Sequence, residues 1–318
     1  MKPLAMRDAL LEEIWIEMAS DSEIFFITAD FGSPILDKIR SDFPERFVNV
    51  GVAEQNLINV SAGLALEGYK VFAYAIAPFI TMRCYEQARV SLALLSGVRS
   101  MNVNLIGVGA GFSYVMSGPT HQCYEDISIM RAMPTFRVIS PSDHVTAAAL
   151  SKECLSNMGP KYLRLDAQVL PVIYESDQPN VSQGFSVLRE GDSVCIVATG
   201  YMVHTALHVQ KELEADGLRV GVIDLFDLTS PSAEKLEEVM DKYRGIVSLE
   251  EGFKGRGGLD AFIFDFISQQ KIEARLLNLG LDGAYHFELD TRIGLHERVG
   301  IGPGVVARRV SNFAKSLN

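Results

Sequence analysis

Residues 48–68 read VNVGVAEQNLINVSAGLALEG, and the stretch changes character in its middle. The run Phe47 to Val52 is short and apolar, as a buried strand is, whereas Leu57, Ile58, Val60, Ala62 and Leu64 suit a buried helix. Gly51 and Ala53 join the two, so the order is strand, turn, helix, and the charged Glu54 stands on the junction. If the strand belongs to an open parallel sheet, Glu54 lies just beyond its carboxyl end, where such sheets hold their ligands. A second reading is open at this point: an acid in the first turn of a helix gains from the helix dipole without any further role.

The same alternation extends in both directions. Apolar runs at 23–29, 47–52, 71–77, 101–109, 136–140 and 161–165 are separated by segments such as 6–19 and 85–96 with helical spacing. It starts again at 193–200, 218–226, 245–252 and 274–280, with helices expected at 203–215 and near 233–243. Strands interleaved with helices predict α/β architecture around mostly parallel sheets. Between the two series, DAQVLPVIYESDQPNVSQG (166–184) has prolines, polar residues and no sustained period. The expected organisation is a domain over 1–166, a linker over 167–190 and a second, smaller α/β domain over 191–318.

With 318 residues, 48% of them hydrophobic, the chain can bury two cores. Its net charge of −11 is spread without a basic stripe, which argues against nucleic-acid binding. No apolar run approaches the roughly 20 residues of a membrane span. Acids in MKPLAMRDALLEEIW replace the apolar block of a secretory signal, and a cytoplasmic protein is expected. The four cysteines are scattered and read as core thiols. His204 and His208 stand four apart on an expected helix, yet no third metal ligand accompanies them. Glycines 107, 109 and 111 follow a strand but open no helix, so they make a poor dinucleotide fingerprint.

The succession ADFGS (29–33), NVGVAEQN (49–56), SGPTHQ (117–122) and ISIMRAMPTFRVISPSD (127–143) resembles the thiamine-diphosphate enzymes of the transketolase family. The resemblance runs through 1–166 as a pyrimidine-binding domain. It continues more loosely through SVCIVATGYMV and VSLEEGFKGRGGLDAFI as a transketolase C-terminal-like domain, so it implies two three-layer α/β domains. It makes Glu54 the catalytic carboxylate on ring nitrogen 1′ of the aminopyrimidine; that bond favours the 4′-imino tautomer, which deprotonates the thiazolium carbon. Apolar surroundings would make such a carboxylate more basic.

Further positions follow from the same resemblance. Phe79, Met82 and Tyr85 would pack around the aminopyrimidine, Met82 standing where relatives commonly have an aromatic ring; a plain core role is equally open for each. His121 would face the substrate as a proton donor or shuttle. Asp30 would lie beside the cofactor, or be an ordinary turn aspartate. Arg164 would bind a substrate phosphate, or form a structural salt bridge. Ser117 would contact substrate at the position where many relatives read a sugar hydroxyl with an acid, and it is preceded by the unusual GVGAGFSYVM (107–116). GRGG (255–258) matches a family turn.

No G-D-G motif for binding Mg²⁺ and the diphosphate occurs in the sequence. The resemblance therefore implies an N-terminal transketolase-like partner chain carrying the Mg²⁺ ligands, an assembly of two plus two chains, and transfer of a two-carbon ketol unit between sugars. Three alternatives are a 1-deoxyxylulose-5-phosphate-synthase-like activity, the beta subunit of a 2-oxo acid dehydrogenase, against which GPTHQ argues, and a non-catalytic regulatory paralogue.

Overall fold

A computed structural model describes residues 2–175 and 179–317. The first half is built on six strands: β1 (Ile24–Thr28), β2 (Phe47–Asn49), β3 (Lys70–Ile76), β4 (Asn102–Val108), β5 (Arg137–Ile139) and β6 (Gly159–Leu165). They lie in the order β2-β1-β3-β4-β6-β5, every pair parallel. The helices α1 (Met6–Ser20), α2 (Pro34–Asp42) and α3 (Glu54–Leu66) come first. A helical segment from Phe79 to Leu94 follows, its short α4 (Tyr85–Gln87) flanked by π-helical turns, then α5 (Asp126–Arg131) and α6 (His144–Ser156). Central β4 is buried at every position, as expected of a strand covered on both faces. Its two asparagines are satisfied there: Asn102 Nδ2 donates to the Cys154 and Leu155 carbonyls, and Asn104 Nδ2 to that of Val71.

The second half has β7 (Phe185–Arg189), β8 (Val194–Ala198), β9 (Val220–Leu225), β10 (Gly245–Phe253) and β11 (Arg275–Leu281), in the order β11-β10-β8-β9-β7. Four strands run parallel and β7 is the antiparallel edge. Helices α7 (Met202–Ala215), α8 (Ala233–Met240), α9 (Leu259–Gln270), α10 (Arg292–Arg298) and α11 (Pro303–Lys315) complete it. Among the described residues no helix is long and apolar enough to cross a membrane.

Two local expectations differ from the structure. Strand β7 falls inside the stretch read as linker; Val187 and Arg189 on it are exposed, so this edge strand lacks the apolar run that marks the buried ones. Residues 176–178 of that stretch lie outside the described residues. The strand expected over 47–52 ends at Asn49, and Gly51, at φ 73°, turns the chain before α3 begins.

The halves meet across a seam of buried charges. Asp166, just past β6, and Glu251, in β10, both pair with Arg292 of α10, at 2.6 and 2.5 Å. His296 of the same helix contacts Glu251 Oε1 at 2.5 Å. Against full burial, Arg292 and His296 hold the Glu251 carboxyl below its ordinary range, while burial pushes Asp166 up despite Arg292. A second seam joins Ser142 and Tyr174, whose hydroxyls donate to Asp224 Oδ2 of β9 at 2.5 and 2.9 Å.

Candidate active site

Glu54 opens α3 with no side-chain cap before it, and only 3% of it is exposed. Its Oε2 accepts from Arg83 Nη1 at 2.8 Å, while Oε1 has no protein donor among the described residues. Glu54, Val52, Asn56, Arg83 and Gln87 line a groove of about 470 Å³. Arg83 comes from the π-helical turn after β3, and Gln55 Nε2 donates to its carbonyl at 3.3 Å.

The guanidinium of Arg83 lies 4.1 Å from the centroid of the Phe79 ring. On that ring His121 packs edge-on, with centroids 5.4 Å apart and planes at 67°. Thr120 Oγ1 stands 3.0 Å from His121 Nδ1, and Nε2 has no protein partner among the described residues. Glu54, Arg83, Phe79 and His121 thus form one continuous arrangement, bringing together both residues expected to be catalytic. Tyr114 closes it, its ring 6.3 Å from that of His121 at 78°.

The other expected positions separate into two sets. Met82 is 38% exposed, beside Arg83, and Ser117 is exposed in the 3-10 turn that leads to His121. Asp30 stands past the carboxyl end of β1 at φ 54°, its N–H donating to Asn49 Oδ1 and its Oδ1 accepting from Asn49 Nδ2, each at 3.2 Å. By contrast, Tyr85 packs against the main core and donates to the Ile129 carbonyl at 2.9 Å, the core role. Arg164 corrects the phosphate-binding expectation. It is 2% exposed, donates through Nε to Asp126 Oδ2 at 2.8 Å and through Nη2 to the Cys123 and Glu251 carbonyls, so no substrate phosphate reaches it. His204 Nε2 is engaged with the Ser142 carbonyl at 2.8 Å, and no group of three or more His, Cys, Asp or Glu side chains stands together among the described residues.

Sequence reading missed Arg83, Tyr114 and Arg7. Arg7 lines a second cavity of about 640 Å³ with Thr28, Asp30, Ser33, Arg40 and Asn49. Asp8 Oδ1 accepts from Arg7 Nε at 3.2 Å and from Ser33 Oγ at 3.0 Å. Against partial burial, Tyr74, Asp8 and Tyr114 hold the Arg7 guanidinium above its ordinary value. A regular helix start would have hidden Arg7, and only the unusual run before SGPTHQ pointed toward Tyr114.

These residues fit the aminopyrimidine end of thiamine diphosphate. A buried carboxylate has one unengaged oxygen, an aromatic face stands beside it, and the planar, nitrogen-rich guanidinium of Arg83 already stacks on that face and bonds that acid.

The description "Transketolase, pyrimidine binding domain" matches residues 2–172, and "Transketolase, C-terminal domain" matches residues 184–294. One of the two subunits of the apulose-4-phosphate transketolase of Actinobacillus succinogenes is 30% identical over 87% of this chain and 86% of its own length. The 1-deoxy-D-xylulose-5-phosphate synthase of Parasynechococcus marenigrum is 32% identical over 82% of this chain, which spans 40% of that protein. Among solved structures, a split-gene transketolase described as an inactive beta4 tetramer superposes with a TM-score of 0.85 and 29% identity over 98% of both chains.

Proposed function

The chain belongs to the transketolase family, and from that premise we propose that it is the subunit of a split, thiamine-diphosphate-dependent transketolase that supplies the activating glutamate and part of the sugar channel. The observation carrying this reading is the pairing of buried Glu54 with an unengaged Oε1 beside Phe79 and His121. When bound, thiamine diphosphate supplies the nucleophilic carbon at which a ketol unit leaves one sugar and joins another. Glu54 Oε1 holds the proton shared with the ring nitrogen, in a pocket from which water is largely excluded. Arg83 swings from the Phe79 face to admit the ring. His121 Nε2, fixed by Thr120 through the other ring nitrogen, donates to the substrate oxygen on which negative charge develops.

The sugar chain then extends toward the Arg7 cavity, where Arg7 and Ser33 suit an anionic end group. A phosphate on the substrate is consistent with the names of the relatives. Exposed Val52, Met82, Val90, Leu94, Val98 and Met116 lie on the segments that carry or flank the site, and they suit a partner chain with the diphosphate-binding domain and the Mg²⁺ ligands. An assembly of two plus two chains, in the cytoplasm, completes the reading. A second reading, production of a 1-deoxy ketose phosphate, is favoured by the synthase relative and is separated from the first by analysing the product.

Calorimetric titration of thiamine diphosphate with Mg²⁺ tests the proposal, first into this chain and then into this chain with a partner carrying the diphosphate-binding domain. Binding confined to the mixture, with ketol transfer that Glu54→Gln removes, is the expected result. A complex that forms but binds no cofactor leaves a regulatory paralogue instead.

A further inference from the structure

We infer that Tyr114 sets which sugars this site accepts: its ring limits chain length between His121 and the Arg7 cavity, and its hydroxyl meets the sugar part-way between the two. The inference rests on the transketolase reading above and adds to it a residue that determines specificity.

Four observations place Tyr114 there. Its ring stands edge-on to His121, at 6.3 Å. Its phenol lies in the field of Arg7, whose charge opposes the upward push of burial on that hydroxyl. No protein group among the described residues donates to or accepts from the hydroxyl, although most of the side chain is shielded. Finally, the ring occupies the space that a side chain at residue 109 would fill: a Cβ on Gly109, at φ 116°, would run into Tyr114 Cε2 and Cδ2. Gly109 therefore lets the phenol lie flat on the backbone beyond β4, and the sequence GVGAGFSYVM gains a physical reason.

A half-shielded phenol without a partner both donates and accepts. A sugar whose reacting carbonyl lies at His121 and whose anionic end lies at Arg7 presents its middle hydroxyls to that group. A longer chain would need the volume of the ring itself.

The test uses the assembled enzyme as wild type, Tyr114→Phe and Tyr114→Ala, with pentulose, hexulose and heptulose phosphates as donors. Tyr114→Phe should raise KM by about 3- to 10-fold with kcat within about 2-fold, as loss of one neutral hydrogen bond implies. Calorimetry with an aldose phosphate in the absence of donor should show the same weakening, without turnover. Tyr114→Ala should shift the ratio of kcat/KM toward the heptulose phosphate by about 10-fold or more. Unchanged KM, unchanged binding and unchanged donor ratios would overturn the inference, and so would an equal loss of kcat on every donor, which marks a ring that only supports His121. A wild-type complex that transfers nothing removes the transketolase reading and this inference with it, and is seen before any variant is compared.

Discussion

Glu54 and Arg164 put opposite demands on a single side chain. Glu54→Gln keeps the shape and removes the charge, so kcat for ketol transfer should fall by about 100-fold or more. Its thermal midpoint should hardly move, because the Arg83 partner is 43% exposed and such pairs contribute about 0–1 kcal/mol. Arg164→Met should do the reverse. It strands the buried carboxylate of Asp126 and removes donors from two carbonyls, so unfolding in urea should show a loss of about 3–5 kcal/mol. A variant that stays stable but loses affinity for phosphorylated sugar would restore the phosphate-binding role. Glu54 was legible because a charge on a strand-to-helix junction is unusual in any α/β chain. The identity of its counter-ion was not, since Arg83 is twenty-nine residues away and reaches it through a π-helical turn that no simple period reveals.

At the level of elements, α6 shows one residue serving two of them. Asp143 caps the helix, its Oδ1 accepting from the Thr146 N–H at 2.9 Å, and its Oδ2 accepts from the N–H groups of Ile173 and Tyr174 at 2.8 and 3.1 Å. An ordinary cap contributes about 1 kcal/mol. Asp143→Ala should cost more than that, because two further buried donors lose their acceptor; chemical denaturation against Asp143→Asn measures the difference. Buried strands such as β4, β8 and β9 were readable as apolar runs, whereas β7, an edge strand with exposed Val187, sends only a faint signal. Hydrophobic pattern reports burial, and an element that is half outside reports little.

For the whole molecule, pH acts through Asp224. Burial pushes its carboxyl up to about 7, from an ordinary 3.8, against the donors Ser142 and Tyr174. Between these values the folded protein keeps a proton that the unfolded chain has released, so stability falls as pH rises through that window and the loss is complete above about 7. Asp224→Asn should flatten the decline in thermal midpoint between about pH 5 and about pH 8, by a few degrees at the upper end. A slope identical to wild type would assign the effect to another group. The two-part plan was legible from the repeated alternation of strands and helices, but the seam between the parts was not, since Asp166, Glu251, Arg292 and His296 are scattered in the sequence and meet only after folding. That seam bears on how such chains can be recombined. A chimera joined at the linker with a second half from a relative would bury Asp166 opposite whatever replaces Arg292, so a crossover there succeeds only when the charges on both sides travel as a set. The molecule looks modular along its sequence, yet it is inherited as one piece.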